Sequence, residues 1–188
     1  LIKVEEIHAY PRGTVMAKAF IGLGGNVGDS RQILTDAVIC LAQFPSIHID
    51  ARSAFYVSAP VDAPGGDYIN NVISISTSLE PKPLLAVCQS VEQHFGRERP
   101  YENAPRTLDI DILIYEDLAM QEPELIIPHP KITQRMFVLL PLLEIDPEIS
   151  LPNHGKLKNR LPDLSWQKIE KLPYMQCPMG DTDLKSSS

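Results

Sequence analysis

In the stretch PRTLDIDILIYED, residues 105 to 117, Asp109 and Asp111 stand two apart in what reads as a buried β-strand. Side chains at i and i+2 of a strand face the same way, with their Cα atoms about 6.5 to 7 Å apart. At an effective dielectric of about 20, carboxylates about 6 Å apart repel by roughly 3 kcal/mol, which is large against the marginal stability of a domain. A divalent cation, or a pair of them, removes that repulsion. Hard Mg²⁺ takes one or two carboxylates and completes its octahedron with water and phosphate oxygens, so the pair points to metal-assisted chemistry on phosphates. A solvated polar strand face is the competing reading of D-x-D alone. It is weakened by Leu113 and Tyr115, which continue the same face, and by Arg106 just upstream.

Other residues could join such a site. Arg97, Arg99, Arg106 and Arg135 can supply a local cationic patch for a nucleoside triphosphate. Tyr68 and Asn70, two apart, offer a flat ring to stack on a heterocycle and a carboxamide to read its donor and acceptor edge; the polar face of a hairpin is the plainer alternative. His129 in IPHP is fixed by flanking prolines, which suits a rigid binding edge as well as a structural role. The cluster IGLGGNVGDS has no G-K-[ST], and a G-x-G-x-x-G match begun at Gly22 meets Val27, so it reads as a tight strand-to-helix turn rather than a phosphate loop.

Composition bounds the class. Of 188 residues, 44% are apolar and 22% charged, as expected of one globular domain. The net charge of -7 argues against general nucleic-acid binding, which demands excess Lys and Arg, but leaves a single nucleotide open. Apolar runs are broken before the roughly 18 residues of a membrane span, and no signal peptide is visible, so the expected location is cytoplasmic. Cys40, Cys88 and Cys177 lack metal spacing, and the first two lie on apolar helix stripes, so they are expected to be reduced and structural.

The elements that must position these groups follow from periodicity. VMAKAFIGL, 15 to 23, reads as a first strand, and a helix follows with Asp29 or Ser30 as its N-cap and Ile33, Leu34, Ala37, Val38 and Leu41 as its stripe. A second strand spans about 47 to 57, and a third, 68 to 79, puts Ile69, Ile73, Ile75 and Leu79 on one face and Tyr68, Asn70, Val72 and Ser74 on the other. The next helix opens with Pro83 in its first position and ends at Gly96. In the fourth strand, Leu108, Ile110, Ile112 and Ile114 should face the helices. Residues 131 to 140 read as a further helix, with Pro141 starting a new turn or a kink.

The order β-α-β-β-α-β predicts an α+β, ferredoxin-like core: an antiparallel sheet with both helices on one face and additional C-terminal elements on the other. The expected division is a leader or upstream remnant at 1–15, the core domain at 16–160, and a partly disordered C-terminal extension at 161–188.

Taken together, IGLGGNVGD, DYINNV, GRER, PRTLDIDIL, IPHP and RMFVLLPLLEI resemble the hydroxymethyl-dihydropterin pyrophosphokinases of the folate pathway over about residues 17 to 153. The resemblance implies a diphosphotransferase that moves the terminal diphosphate of ATP to the hydroxymethyl group of a reduced pterin, leaving AMP. It implies two Mg²⁺ held by Asp109 and Asp111, with Arg97 and Arg106 stabilising the transferring group. The pterin site would use Ser58, Ala59, Val61, Tyr68, Asn70 and Phe137. The ATP site would use Gln89, Glu92, Arg97, Arg99, Ile112, His129, Pro130 and Arg135. Fusion to, or association with, a neighbouring folate-pathway enzyme is also implied. The chain departs from the family at Asn103, where some relatives place a tryptophan that seals the pterin, and at Pro100, where some carry a lysine. Two other readings stay open: another two-metal nucleotidyl or phosphoryl transferase, and a non-catalytic module of the same topology that binds a small molecule.

Overall fold

The computed structural model describes residues 15–59, 66–96, 107–152 and 154–173. Val61, Arg97, Arg99, Arg106, Asn103, Pro100 and Cys177 lie outside the described residues, as do 1–14 and 174–188.

Ten strands and three α-helices follow one another along the described chain. They are β1 (Ala17–Gly25), α1 (Ser30–Ala42), β2 (Ile47–Arg52), β3 (Tyr56–Ser58), β4 (Tyr68–Thr77), α2 (Pro81–His94), β5 (Asp109–Tyr115), β6 (Met120–Gln121), β7 (Ile126–Ile127), α3 (Met136–Ile145), β8 (Ser150–Leu151), β9 (Gly155–Lys156) and β10 (Ile169–Lys171). Two 3₁₀ turns, Leu157–Arg160 and Pro162–Leu164, precede β10. The main sheet runs β10-β3-β4-β1-β5, with β2 also on β4, and its paired strands are antiparallel. The crossover through α1 skips β4, and that through α2 skips β1. Both helices therefore land on the same face.

Alternation along β1 divides the two cores. Ala19, Ile21 and Leu23 pack with α1 and α2 through Leu34, Val38, Leu41, Leu84, Cys88 and Val91. Phe20 faces the other way, into a second core built by Met136, Leu139 and Leu142 of α3 with Val72, Leu151, Leu157 and Leu164. The sheet is thus covered on both faces, but α3 covers only part of the second. Burial, with a smaller push from the Asp111 charge, raises the Cys88 thiol to about 12, and Cys40 and Cys88 are free thiols. Among the described residues no helix is long and apolar enough to cross a membrane.

Several local expectations change. Asp29 does cap α1, accepting from the Gln32 N–H at 3.2 Å, and Gly96 does end α2 with φ +77°. The first position of α2, however, belongs to Pro81; Glu80 ahead of it is held extended, as a residue before proline prefers. The second strand is two strands. Its 53–55 stretch leaves the ladder and Ser53 takes over, accepting from the Val72 N–H with its hydroxyl at 3.0 Å. The helix expected over 131–140 begins instead at Met136, because Arg135 is extended; Pro141 sits inside it. The bond Pro141 removes costs about 3 kcal/mol in an exposed helix, and here the buried Val138, Leu139, Leu142 and Leu143 around it offset that loss.

Two corrections bear on the site. The pairing of β1 with β5 shifts between Phe20 and Ile21: Phe20 meets Ile114 while Ile21 meets Ile112, leaving Leu113 as an extra residue. Such a bulge breaks the alternation. Ile114 therefore joins the α3 core rather than facing α1 and α2, and Tyr115 turns to the helix side, its hydroxyl donating to Leu79 O at 2.8 Å. Gly22 lies in the first strand as expected, but Gly24 and Gly25, expected in the turn after it, are also strand residues of β1; of the cluster's glycines only Gly28, with φ +71°, makes the turn. The expected boundary at 160/161 falls between the two 3₁₀ turns, and beyond it β10 pairs with β3.

Candidate functional site

On the α3 side of the sheet, where α3 leaves the end of β1 uncovered, lies a cleft of about 560 Å³. Register explains its shape. Asn70 of β4, Gly24 of β1 and Asp109 of β5 form one row across the sheet, and Val72, Gly22 and Asp111 form the next. The central strand contributes no side chain in either row, so the two glycines make a bare floor. An aromatic and carboxamide end faces a carboxylate end across two strand spacings, about 9 to 10 Å. A Cβ on Gly24 would stand 2.9 Å from Asn70 Oδ1, so glycine is needed there for close approach.

Ser58, Ala59, Tyr68 and Asn70 line one end, Asp109 and Asp111 the other, and Arg135 and Phe137 the α3 wall. Asn70 is buried, and its Nδ2 donates to Ser58 Oγ at 3.0 Å, which orients the carboxamide. The Arg135 guanidinium lies 5.5 Å from the Phe137 ring centroid, a cation–π distance.

The remaining expected positions lie around the cleft. Glu92 is buried beneath β5, and its Oε1 accepts the Ile110 N–H at 2.8 Å, between the two aspartates in sequence. Gln89, one turn earlier on α2, is exposed, and Ile112 is buried in the helix-side core. Pro130 is exposed beside His129, whose Nε2 lies 4.0 Å from Asp111 Oδ2. Burial, reinforced by the Arg135 and Lys131 charges against an opposing pull from Asp109, pushes His129 down to about 4. The imidazole is therefore neutral at neutral pH, and its approach to Asp111 is not an ion pair. The Lys131 N–H donates to Nδ1 at 3.1 Å, which assigns the imidazole proton to Nε2, on the Asp111 side.

Sequence reasoning missed Gly22 and Gly24 as the floor. Their spacing of two was a usable signal once β1 was placed beside the aspartate strand. It also missed Lys131, Thr133, Gln134, Leu164, Trp166 and Gln167, all of which line the cleft. The last three come from a segment whose link to the sheet has no local signature.

Glu144 of α3 fixes the wall to the sheet. Its Oε2 accepts from Tyr56 OH at 2.6 Å, and its Oε1 accepts from Lys171 Nζ at 3.0 Å and the Ala54 N–H at 3.3 Å. Burial alone would raise this carboxyl, but the Tyr56, Lys171 and Ala54 bonds outweigh it and hold it below the usual carboxylate range. A lowered folded value contributes stability above the unfolded value, lost as pH falls through the folded one. Glu144→Gln should therefore cost about 1 to 2 kcal/mol at neutral pH, with the gap from wild type closing as pH drops below the ordinary carboxylate range. Urea melts of both proteins from pH 7 downward check it; a pH-independent gap would contradict the charge-based account.

Residues 20–147 match the family described as 7,8-dihydro-6-hydroxymethylpterin-pyrophosphokinase (HPPK). A Methylorubrum extorquens protein named 2-amino-4-hydroxy-6-hydroxymethyldihydropteridine pyrophosphokinase is 42% identical over 135 residues, covering 71% of this chain and 85% of its own length. The bifunctional protein FolKE of Lactococcus lactis is 40% identical over 134 residues, covering 69% of this chain and 38% of its own length. In fold, the chain is similar to a solved HPPK-DHPS in complex with substrates, at TM-score 0.65 and 12% identity over 80% of this chain. It spans 43% of that longer chain.

Proposed function

Because this chain belongs to the 7,8-dihydro-6-hydroxymethylpterin-pyrophosphokinase family, we propose that the cleft described above is where it moves the terminal diphosphate of ATP onto 6-hydroxymethyl-7,8-dihydropterin. The activity is that of a diphosphotransferase in folate biosynthesis. In the reaction the hydroxymethyl oxygen bonds to the β-phosphorus and gives up its proton, while the bridging oxygen departs with AMP.

One observation carries the residue assignment: a glycine floor, Gly22 and Gly24, separates an aromatic and carboxamide end from a carboxylate pair by two strand spacings. Tyr68 and Phe137 sandwich the pterin ring, and Asn70, oriented by Ser58, reads its edge; Ala59 and Val61 are assigned to the same substrate. The hydroxymethyl arm then points across the floor to Asp109 and Asp111. Arg97 and Arg106 meet the charge of the transferring group, and Arg99, Arg135, Gln89, Glu92, Ile112, His129 and Pro130 belong to the ATP side.

The carboxylates suit Mg²⁺. Asp109 and Asp111, side by side on one strand face of the cleft, offer two hard ligands and leave other positions to phosphate and water. Two bound Mg²⁺ would supply neutralisation of the phosphate oxygens. The sheet order, with split crossovers and both α1 and α2 on one face, supports a ferredoxin-like description of the core. We assign the enzyme to the cytoplasm. It works alone or joined to a neighbouring folate enzyme, as in FolKE and HPPK-DHPS.

The test is product identity. AMP, not ADP, should accumulate from ATP only when the reduced hydroxymethylpterin and Mg²⁺ are both present. ADP would favour another phosphoryl transferase. Intact ATP would favour a binding module.

A further inference from the structure

We propose that Trp166 is a substrate-contacting residue that covers the pterin ring at the mouth of the cleft. The inference rests on the pyrophosphokinase reading and deepens it. Trp166 is the chain's single tryptophan, lines the cleft, and leaves 70% of its surface open. So large an apolar side chain is seldom left this exposed without a partner, because burying it removes much apolar area from water.

Its exposure is not fraying. On one side Leu164 is buried in the α3 core, at 7% exposure. On the other, the Gln167 carboxamide accepts the Met136 N–H at 2.9 Å and donates to Gln134 O at 2.8 Å. The Met136 N–H is one of the first-turn donors that a helix cannot satisfy itself, so this bond locks the 164–167 segment to the start of α3, beside Phe137. Trp166 is held at the cleft between two anchors.

Register settles which substrate it meets. Ile169 pairs with Ser58 and Ser58 with Tyr68, so Trp166, three residues before Ile169, lies within about 10 Å of chain from the Ser58 and Tyr68 row. That is the end opposite Asp109 and Asp111. With Tyr68 and Phe137 on the two faces of the ring, the indole meets its rim, an edge-to-face contact that shields the heterocycle from water, and it carries no charge to pair with a triphosphate.

Three measurements on the full chain test this. Wild type must first make AMP from ATP and the pterin; if it does not, the pyrophosphokinase reading itself fails and the inference with it. Trp166→Ala should then raise KM for the pterin about tenfold while leaving kcat within about twofold and KM for ATP unchanged, and Trp166→Phe should restore most of the loss. Because the chain has one tryptophan, its fluorescence reports this site alone. With a nonhydrolysable ATP analogue present, adding the pterin should lower the bimolecular constant for acrylamide quenching, and the analogue alone should not. An active wild type whose Ala variant keeps its pterin KM, or shifts the KM for ATP instead, overturns the proposal. So does quenching that the pterin leaves unchanged.

Discussion

Asp111→Ala is expected to lower kcat by about a thousandfold or more, near 4 kcal/mol of transition-state stabilisation, with the fold intact. Asp111 belongs to neither hydrophobic core, its side chain is 41% exposed, and its strand partner on β1 is the side-chain-free Gly22. Little packing is lost when it is shortened. Removing one of two carboxylates on the same strand face also relieves like-charge repulsion, so the melting midpoint should hold within about 3 °C or rise. AMP formation at saturating substrates together with a thermal melt reads both effects. Near-wild-type turnover with Mg²⁺ would falsify the metal assignment, and a large fall in the midpoint would make Asp111 structural.

Gly25→Ala is the second large effect, through geometry rather than charge. A Cβ there would stand 2.4 Å from Thr107 O and 3.3 Å from Thr107 C, with Leu34 Cδ1 at 3.5 Å. The first two contacts are backbone, so no rotamer change relieves them. Overpacking of this kind costs about 3 kcal/mol, or roughly 6 to 12 °C in the melting midpoint of a domain this size. Any shift of Thr107 moves Asp109 two residues on. Activity per folded molecule should therefore also fall by about tenfold or more. Gly66, where a Cβ meets nothing within 4 Å, supplies the control: Gly66→Ala should stay within about 0.5 kcal/mol of wild type. Equal stability of the two variants would show that β1 and the lead into β5 have slack the structure does not suggest.

Much of the fold was readable because helices and strands announce themselves by local period. The stripe Leu34, Ala37, Val38 and Leu41, and the alternation Tyr68, Asn70, Val72 against Ile69, Ile73, Ile75, each encode which face is buried. The same rule failed at Ile114 because alternation counts residues, and the bulge at Leu113 adds one on β5 that β1 does not match. Helix starts were misplaced by a few residues at Pro81 and Met136, where the extended conformations of Glu80 and Arg135 decided the matter. The glycines read as a turn because glycine is the usual turn residue. Their use as a flat floor depends on what stands on either side of β1.

By itself, then, the sequence determined the succession of the core elements, β-α-β-β-α-β, and the side of β4 and β5 on which Tyr68, Asn70, Asp109 and Asp111 would stand. Those are properties of single segments. Only the tertiary structure decided that Gly22 and Gly24 lie between them, that Glu144 ties α3 to Tyr56 and Lys171, and that β10 closes the edge and brings Trp166 to the cleft. Each of these joins residues far apart in the chain. Local period says which face a residue takes, whereas its partner is chosen by register, crossover and packing across the whole sheet.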